Sequence, residues 1–149
     1  MPIFYAQIRG ESMYKQANLS FSVSAQSNGN DVSSSIQFST QDKNSAKLVF
    51  TVKQGKEPLN LSDAEGIITL VMHDKSRFDE KATVTKPLDG IVEYTLKPEQ
   101  IRHAGKVIGE LRIVAKDGSS IGGFEFSFVI KKALIDRELG VVKEFYIED

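Results

Sequence analysis

Alternation of apolar and polar side chains with a period of two dominates the chain. Residues 124–130, "FEFSFVI", show it most clearly, with three phenylalanines and an isoleucine on one face and Glu125, Ser127 and Val129 on the other. This pattern is typical of a strand with one buried face. Similar segments are "NLSFSVS", "SSIQFST", "IVEYTL", "GELRIVAK" and, more weakly, "KATVTK". The segment "IITLVMH" is apolar on both faces and predicts a central strand covered on both sides.

Turn-forming residues separate these segments. "KDGSS" at 116–120 sets an Asp-Gly pair between two alternating runs, which indicates a hairpin. In residues 38–66, "LVFTV" predicts a strand between the polar loop "STQDKNSA" and a turn at "QGKEP". We expect Leu59 and Leu61, which follow that turn, to pack under the edge of the sheet. The glycine pair in "IGGF" predicts a bulge or a tight crossing of the chain.

One short helical turn is predicted near residues 98–104, in "KPEQIRHAG". Pro98 suits the first helical position, Glu99 favours the positive N-terminal end, and Gly105 is able to close the C-terminus. Seven or eight short strands with one such turn predict an all-β, immunoglobulin-like antiparallel β-sandwich.

The sequence divides into three expected parts. Residues 14–133 form the sandwich, and residues 1–13 form an N-terminal arm or extra strand. Residues 134–149 change the period and end abruptly at "FYIED", so we expect them to begin a linker that continues into a further C-terminal part.

Composition narrows the function classes. The 149 residues are 40% hydrophobic and 26% charged, as in one folded domain, and carry a net charge of −1. This charge gives no reason to expect nucleic acid or an anionic membrane as partner. The chain has no Cys, which excludes thiol catalysis and suits assembly in a reducing cytoplasm. It also has no Trp, the strongest stacking surface for a sugar.

Few residues carry candidate chemistry, and we expect no catalytic residue, no cofactor and no metal. His73 and His103 have no ligand or carboxylate partner at a suitable spacing. Asp74, Asp79 and Glu80 bracket "KSRFD" and suggest a calcium loop, but the spacing lacks the alternating ligands of an EF-hand. A solvated loop is the preferred interpretation.

Apolar side chains outside the alternating strands form the candidate partner interface. The alternative, that the two ends of the chain pack on their own sandwich, stays open. The candidate interface residues are Phe4, Tyr5, Val141, Val142, Phe145, Tyr146 and Ile147.

Residues 14–149 resemble the N-terminal domain of upper baseplate proteins (the BppU-type family) from phages and prophages of Gram-positive bacteria. The resemblance rests on the ordered segments "FSTQD", "AKLVF", "PLNLSDA", "YTLKPEQIRHAGKVIGEL" and "FSFVIKKALID". It implies a structural protein of the virion, in the phage tail baseplate. It also implies a domain that attaches to the hub around the distal tail protein, whose linker carries receptor-binding proteins towards the host. A homo-oligomer in the virion, assembled in the host cytoplasm, is expected.

Two other function classes compete with an anchoring role. A carbohydrate- or host-surface-binding sandwich would need an aromatic platform, for which the sequence offers no Trp and only four Tyr. An enzyme such as a wall hydrolase would need paired carboxylates in a cleft, for which Glu93 and Glu110 are the residues to test.

Overall fold

The computed structural model describes residues 15–23, 31–32 and 36–137, with residues 31–32 described by their backbone alone. These residues contain ten strands and one helical turn, α1 (Pro98–Ile101). Short 3-10 turns cover Pro87–Asp89 and Leu134–Asp136. The strands are β1 (Lys15–Ser22), β2 (Asp31–Val32), β3 (Gln37–Ser39), β4 (Ala46–Gln54), β5 (Glu57–Pro58), β6 (Ala64–Val71), β7 (Arg77–Lys86), β8 (Ile91–Thr95), β9 (Gly105–Ala115) and β10 (Ser120–Lys131). The predicted all-β fold with a short helical turn near residue 98 is confirmed.

Strand β7 belongs to both layers of the fold. Its first half, residues 77–82, pairs with β6, and its second half, residues 83–86, pairs with β8. We call the strands β1, β4, β5 and β8 layer A, and the strands β6, β9, β10, β2 and β3 layer B. The register of β7 against β8 shifts between Val84 and Lys86, which marks a bulge in the half that joins layer A.

Aromatic rings fill the space between the two layers. The rings of Phe21 on β1 and Phe124 on β10 stack with centroids 4.8 Å apart. Those of Phe50 on β4 and Phe126 on β10 meet edge to face at 5.1 Å. Burial of each such side chain contributes about 1.5–3 kcal/mol. The two layers therefore pack face to face as a sandwich.

The alternation seen in the sequence decides which side chains enter this core. On β10, the side chain of Phe128 is buried while those of Glu125 and Val129 are exposed. On β6, Ile68 and Leu70 are buried, but Ile67, Thr69 and Val71 on the other face are only half-buried. The prediction that β6 is covered on both sides is therefore wrong, because only one face of layer B packs against layer A.

Strands at both edges of the fold are parallel to their neighbours. β1 runs parallel to β4 from the pair Lys15–Ala46 to the pair Ser22–Lys53. The short strands β2 and β3 run parallel to β10, whereas the interior pairs are antiparallel. These parallel pairs go beyond the antiparallel arrangement that the sequence predicts, since alternation specifies a buried face but no neighbour.

The connections follow the predicted turn chemistry. β9 and β10 form a hairpin at residues 116–119, where Gly118 has φ of 92°. The predicted bulge lies at the register shift between Ser120 and Gly122. Leu61 is buried and Leu59 is partly buried against the core, as expected.

One glycine is required by close packing between strands. A Cβ atom at Gly109 on β9 would lie 2.4 Å from Cζ of Phe126, a distance that real Cβ contacts do not reach. Gly109 faces Phe126 directly in the β9–β10 register. The ring of Phe126 therefore occupies the space that a side chain on β9 would need.

No helix in the described part of the chain has the length and apolarity needed to cross a membrane.

Candidate interaction surfaces

The two layers separate where β7 leaves layer A. β8 continues to Thr95 after its last pair with β7, Thr83–Glu93, while the earlier residues of β7 pair only with β6. Helix α1 follows β8 and lies beside the resulting gap. The gap therefore brings β7, β8 and α1 together, and we call it the inter-layer cleft.

A fully buried glutamine organises the inter-layer cleft. The amide oxygen Oε1 of Gln100 accepts hydrogen bonds from the Tyr94 hydroxyl at 2.7 Å and from the backbone N–H of Lys97 at 2.9 Å. Its amide nitrogen Nε2 donates to Glu80 Oε2 at 3.1 Å. The bond to Lys97 satisfies a backbone donor at the start of α1, in the manner of a capping box. The side chain of Gln100 thus ties α1 to both β7 and β8.

Charges at the cleft are paired with one another. Lys97 Nζ donates to Glu80 Oε1 at 2.9 Å, and this hydrogen bond raises the pKa of Lys97. Burial raises the pKa of Tyr94 far above its usual value. Glu93, on the solvent side of β8, pairs with Lys47 at 2.8 Å. These groups stabilise the cleft as it stands, and Tyr94 stays protonated throughout the physiological range.

Two shallow depressions adjoin the cleft and share Lys81 and Tyr94 in their walls. Their volumes are about 390 and 550 Å³. Within the described residues, no buried side-chain polar atom lacks a hydrogen-bond partner. Their walls offer polar and charged groups for contact with a partner surface.

The polypeptide is fastened where it leaves the sandwich after β10. Thr40 Oγ1 donates to Asp136 Oδ2 at 2.6 Å and accepts from the backbone N–H of Ala133 at 2.9 Å. Gln41 Nε2 donates to the same carboxylate oxygen at 2.8 Å. The bonds from Thr40 and Gln41 hold the pKa of Asp136 below its usual value. We call this group of four residues the exit latch.

Two large apolar side chains stand exposed on the turn that the exit latch holds. Leu134 is 63% exposed and Ile135 is 79% exposed. Both belong to the 3-10 turn that ends at Asp136. Isolated exposed apolar residues are common on protein surfaces, but a pair on a turn fixed by side-chain hydrogen bonds is available for contact without reordering.

The two histidines differ from expectation in one respect. His103 Nδ1 lies 2.7 Å from Asp74 Oδ2, so His103 has a carboxylate partner that the sequence did not indicate. Bonds from Ser76, followed by that from His103, lower the pKa of Asp74 to about 2. His73 packs near Gly105, where a Cβ would lie 2.5 Å from the Cβ of His73.

The predicted solvated loop at residues 74–80 is largely a strand. Asp79 and Glu80 belong to β7 and point to opposite faces, so the three acidic residues do not surround one point. Among the described residues, no group of three His, Asp or Glu side chains is arranged to hold a metal ion. The prediction of a loop fails because charged residues at alternate positions also suit a strand with one exposed face.

The two carboxylates weighed as a hydrolase pair belong to different layers. Glu93 lies on β8 in layer A, and Glu110 lies on β9 in layer B. Both alternate with buried residues that face the core, so both point outward from the sandwich. The structure does not bring them together.

The residues of the candidate partner interface lie outside the described part of the chain. They are Phe4, Tyr5, Val141, Val142, Phe145, Tyr146 and Ile147. Along the chain, Phe4 and Tyr5 precede β1, and the other five residues follow the exit latch, whose last residue is Asp136. The latch itself was not indicated by the sequence, because Thr40 and Asp136 are 96 positions apart.

Comparison with known proteins places this sandwich in a family. The family model of the BppU N-terminal domain matches residues 15–149. The chain belongs to the BppU N-terminal domain family. It is therefore a structural domain of the phage tail baseplate, where it contacts other tail proteins.

One solved structure agrees on the fold of this BppU N-terminal domain. The chain is similar to the N-terminal domain of phage TP901-1 ORF48, with a TM-score of 0.60 and 12% identity over 78% of this chain and 98% of that one. It also has a TM-score of 0.36 and 11% identity to CopC from Methylosinus trichosporium OB3b, over 50% of this chain and 66% of that one. No curated protein sequence matches the chain.

Proposed function

We propose that this domain anchors an upper baseplate protein to the tail hub, around the distal tail protein. Through the segment that follows the exit latch, it then positions receptor-binding proteins for host adhesion. The proposed role is one of assembly and involves no catalysis and no cofactor. It works through buried surface area, for which specific interfaces use about 1,600 Å² in total.

The exit latch is the observation that carries this proposal. An anchoring domain must hold the departing chain in a defined direction if the attached proteins are to be positioned. The side chains of Thr40 and Gln41 fix Asp136 from the loop between β3 and β4. The backbone N–H of Thr40 also donates to the carbonyl of Lys131 at 3.0 Å. The latch thus sets the direction of the chain at the end of β10.

Apolar side chains on both sides of the exit supply the proposed contact. Leu134 and Ile135 are exposed on the latched turn. Beyond it the sequence carries Val141, Val142, Phe145, Tyr146 and Ile147, and near the N-terminus Phe4 and Tyr5. We propose that these residues pack against the hub or a neighbouring subunit, since aromatic anchors dominate the energy of such interfaces.

Co-purification with the distal tail protein of the same phage tests the proposal. The variant Phe145→Ala/Tyr146→Ala/Ile147→Ala should lose hub binding and keep the melting temperature of the isolated domain. The matched control is Leu88→Ala, which removes a 70% exposed apolar side chain from the turn before β8 and should leave binding unchanged. A large fall in melting temperature of the triple variant, or retained binding, would contradict the proposed interface.

A further inference from the structure

The outer face of layer B carries its charges in rows that cross the strands. The β6–β7, β6–β9 and β9–β10 registers place Asp79, Thr69, Glu110 and Glu125 side by side in one row. The next row along the strands consists of Lys81, Ile67, Arg112 and Gly123. We call these the acidic row and the basic row. All four acidic or basic side chains on β7 and β9 are exposed.

The acidic row has two like charges side by side at its β10 end. Glu110 and Glu125 lie directly opposite each other on β9 and β10, where like charges are destabilising. Neither carboxylate forms an ion pair with another residue of the described part of the chain. The Oε2 atom of Glu110 lies 3.5 Å from the place a Cβ on Gly123 would take, and Cγ of Arg112 lies 3.7 Å from the same place. Arg112, two residues along β9 from Glu110, is the basic side chain beside this pair within one copy.

We propose that the outer face of layer B is a contact surface for a second copy of this chain. The two copies would pack face to face about a two-fold axis that runs between the acidic and the basic row. This inference goes beyond the proposed attachment to the hub, and concerns how neighbouring copies meet.

The rows make this face complementary to itself. A two-fold axis parallel to the rows places each strand of one copy above the same strand of the second copy. It also places the acidic row of one copy opposite the basic row of the other. Glu110 then faces Arg112 of the second copy on β9, and Asp79 faces Lys81 on β7. Each pair occurs twice, because the contact is isologous. Because the charges reverse sign across the line between the two rows, the face is complementary to a second copy of itself.

Residues beyond the charged rows are compatible with the same packing. The axis brings Ile108, which is 45% exposed, above the half-buried Val114 of the second copy. It brings Glu125 above Gly123 of the second copy, beside the Arg112 side chain, whose Cγ lies 3.7 Å from the place a Cβ on Gly123 would take. Packed sheets lie about 10 Å apart with strands about 30° off parallel, so the match is best at the centre of the face, on β6 and β9.

The size of the face sets the strength of the contact. Four strands spaced about 4.8 Å apart and seven residues long at about 3.4 Å each give a footprint of roughly 450 Å² per copy. This lies at the low end for specific interfaces, so we expect a weak, salt-sensitive dimer that forms at high local concentration.

Charge reversal in the full chain tests the proposal by sedimentation velocity over a range of concentrations at low and high salt. Glu110→Arg and Arg112→Glu should each weaken dimerisation at least tenfold, because each turns two attractive pairs into repulsive ones. The double variant Glu110→Arg/Arg112→Glu should restore it to within about threefold, since the exchanged charges are again complementary. The control is Lys56→Glu, the same kind of charge reversal in the exposed turn between β4 and β5.

Thermal unfolding of each variant separates misfolding from loss of contact. A chain that stays monomeric at millimolar concentration and low salt would overturn the proposal. A folded double variant that dimerises no better than the single variants would overturn it as well. Binding to the distal tail protein is a separate measurement, so a failure here is distinct from a failure of the hub proposal.

Discussion

The hydroxyl of Tyr94 donates to the amide oxygen of Gln100 over 2.7 Å, inside the sandwich and with both residues buried. Tyr94 belongs to β8 and Gln100 to the helical turn that follows it. The bond fixes α1 across the gap between the layers, and the same amide group reaches Glu80 on β7. These buried polar atoms therefore hold α1 against β8 and β7.

Replacement of Gln100 by leucine should lower the free energy of unfolding by about 2–3 kcal/mol, because it leaves the Tyr94 hydroxyl and the Lys97 N–H without their acceptor. Tyr94→Phe should cost about 1 kcal/mol, since it removes one partner and leaves Gln100 two others. Urea unfolding of both single variants and of the double variant measures these terms. Because the two residues share a bond, the losses should add to more than that of the double variant. Strict additivity would contradict the coupling.

Introduction of a methyl group at Gly109 should destabilise the domain by about 1–3 kcal/mol or more, because the ring of Phe126 occupies the space. The matched control is Gly123→Ala on the same layer, where the new Cβ would meet its nearest atom at an ordinary 3.5 Å. We expect that variant to lie within about 0.5 kcal/mol of the parent. Thermal unfolding at low protein concentration compares them. Equal effects of the two substitutions would contradict the close contact at Gly109.

Acid should destabilise the domain in part through Asp74. Its pKa falls from 3.8 to about 2 in the folded chain, so the unfolded chain binds the proton more tightly. The stabilisation is complete above pH 3.8 and is lost as the pH falls through 2. Asp74→Asn should therefore flatten the dependence of stability on pH between about 4 and 2. Urea unfolding at successive pH values measures the slope, and Leu88→Ala, a neutral change, should keep the parent slope.

Disruption of the exit latch should loosen the chain after β10 and leave the sandwich folded. Thr40→Val removes both the donor to Asp136 and the acceptor for the Ala133 N–H. We expect the Ala133 amide to lose most of its protection from hydrogen exchange, at a cost of about 1–2 kcal/mol in stability. Thr85→Val is the matched control, since Thr85 is exposed and bonds only to Glu93 at 3.1 Å. Unchanged protection at Ala133 in the Thr40 variant would show that the latch does not restrain the exit.

The sequence predicted which side chains face the core, and it could not predict which strands are neighbours. Alternation placed Phe124, Phe126 and Phe128 inside, and the Asp-Gly pair at 117–118 placed the hairpin. It could not show that β7 pairs with two different layers, because a change of partner leaves the period of two intact. The parallel pairing of β1 with β4 was hidden for the same reason.

The hydrogen bonds of Gln100 and of the exit latch could not be predicted from the sequence, for a different reason. A glutamine in "KPEQIRHAG" reads as a surface residue, and only the fold shows that Gln100 is buried with three partners. Thr40 and Asp136 are similarly ordinary until β3 and β10 lie side by side. The opposed pair Glu110 and Glu125 also depends on a register that no local pattern encodes. The proposed interface residues at the two ends of the chain remain a prediction.

The shared strand β7 has a mechanical consequence. Neither layer is able to detach as a unit, because the residues that complete layer A and those that border layer B are parts of one continuous strand. A force that pulls on one sheet is passed directly to the other through the backbone of β7. The domain should therefore yield in a single cooperative step, a suitable property for a part that must bear load in the proposed anchoring role.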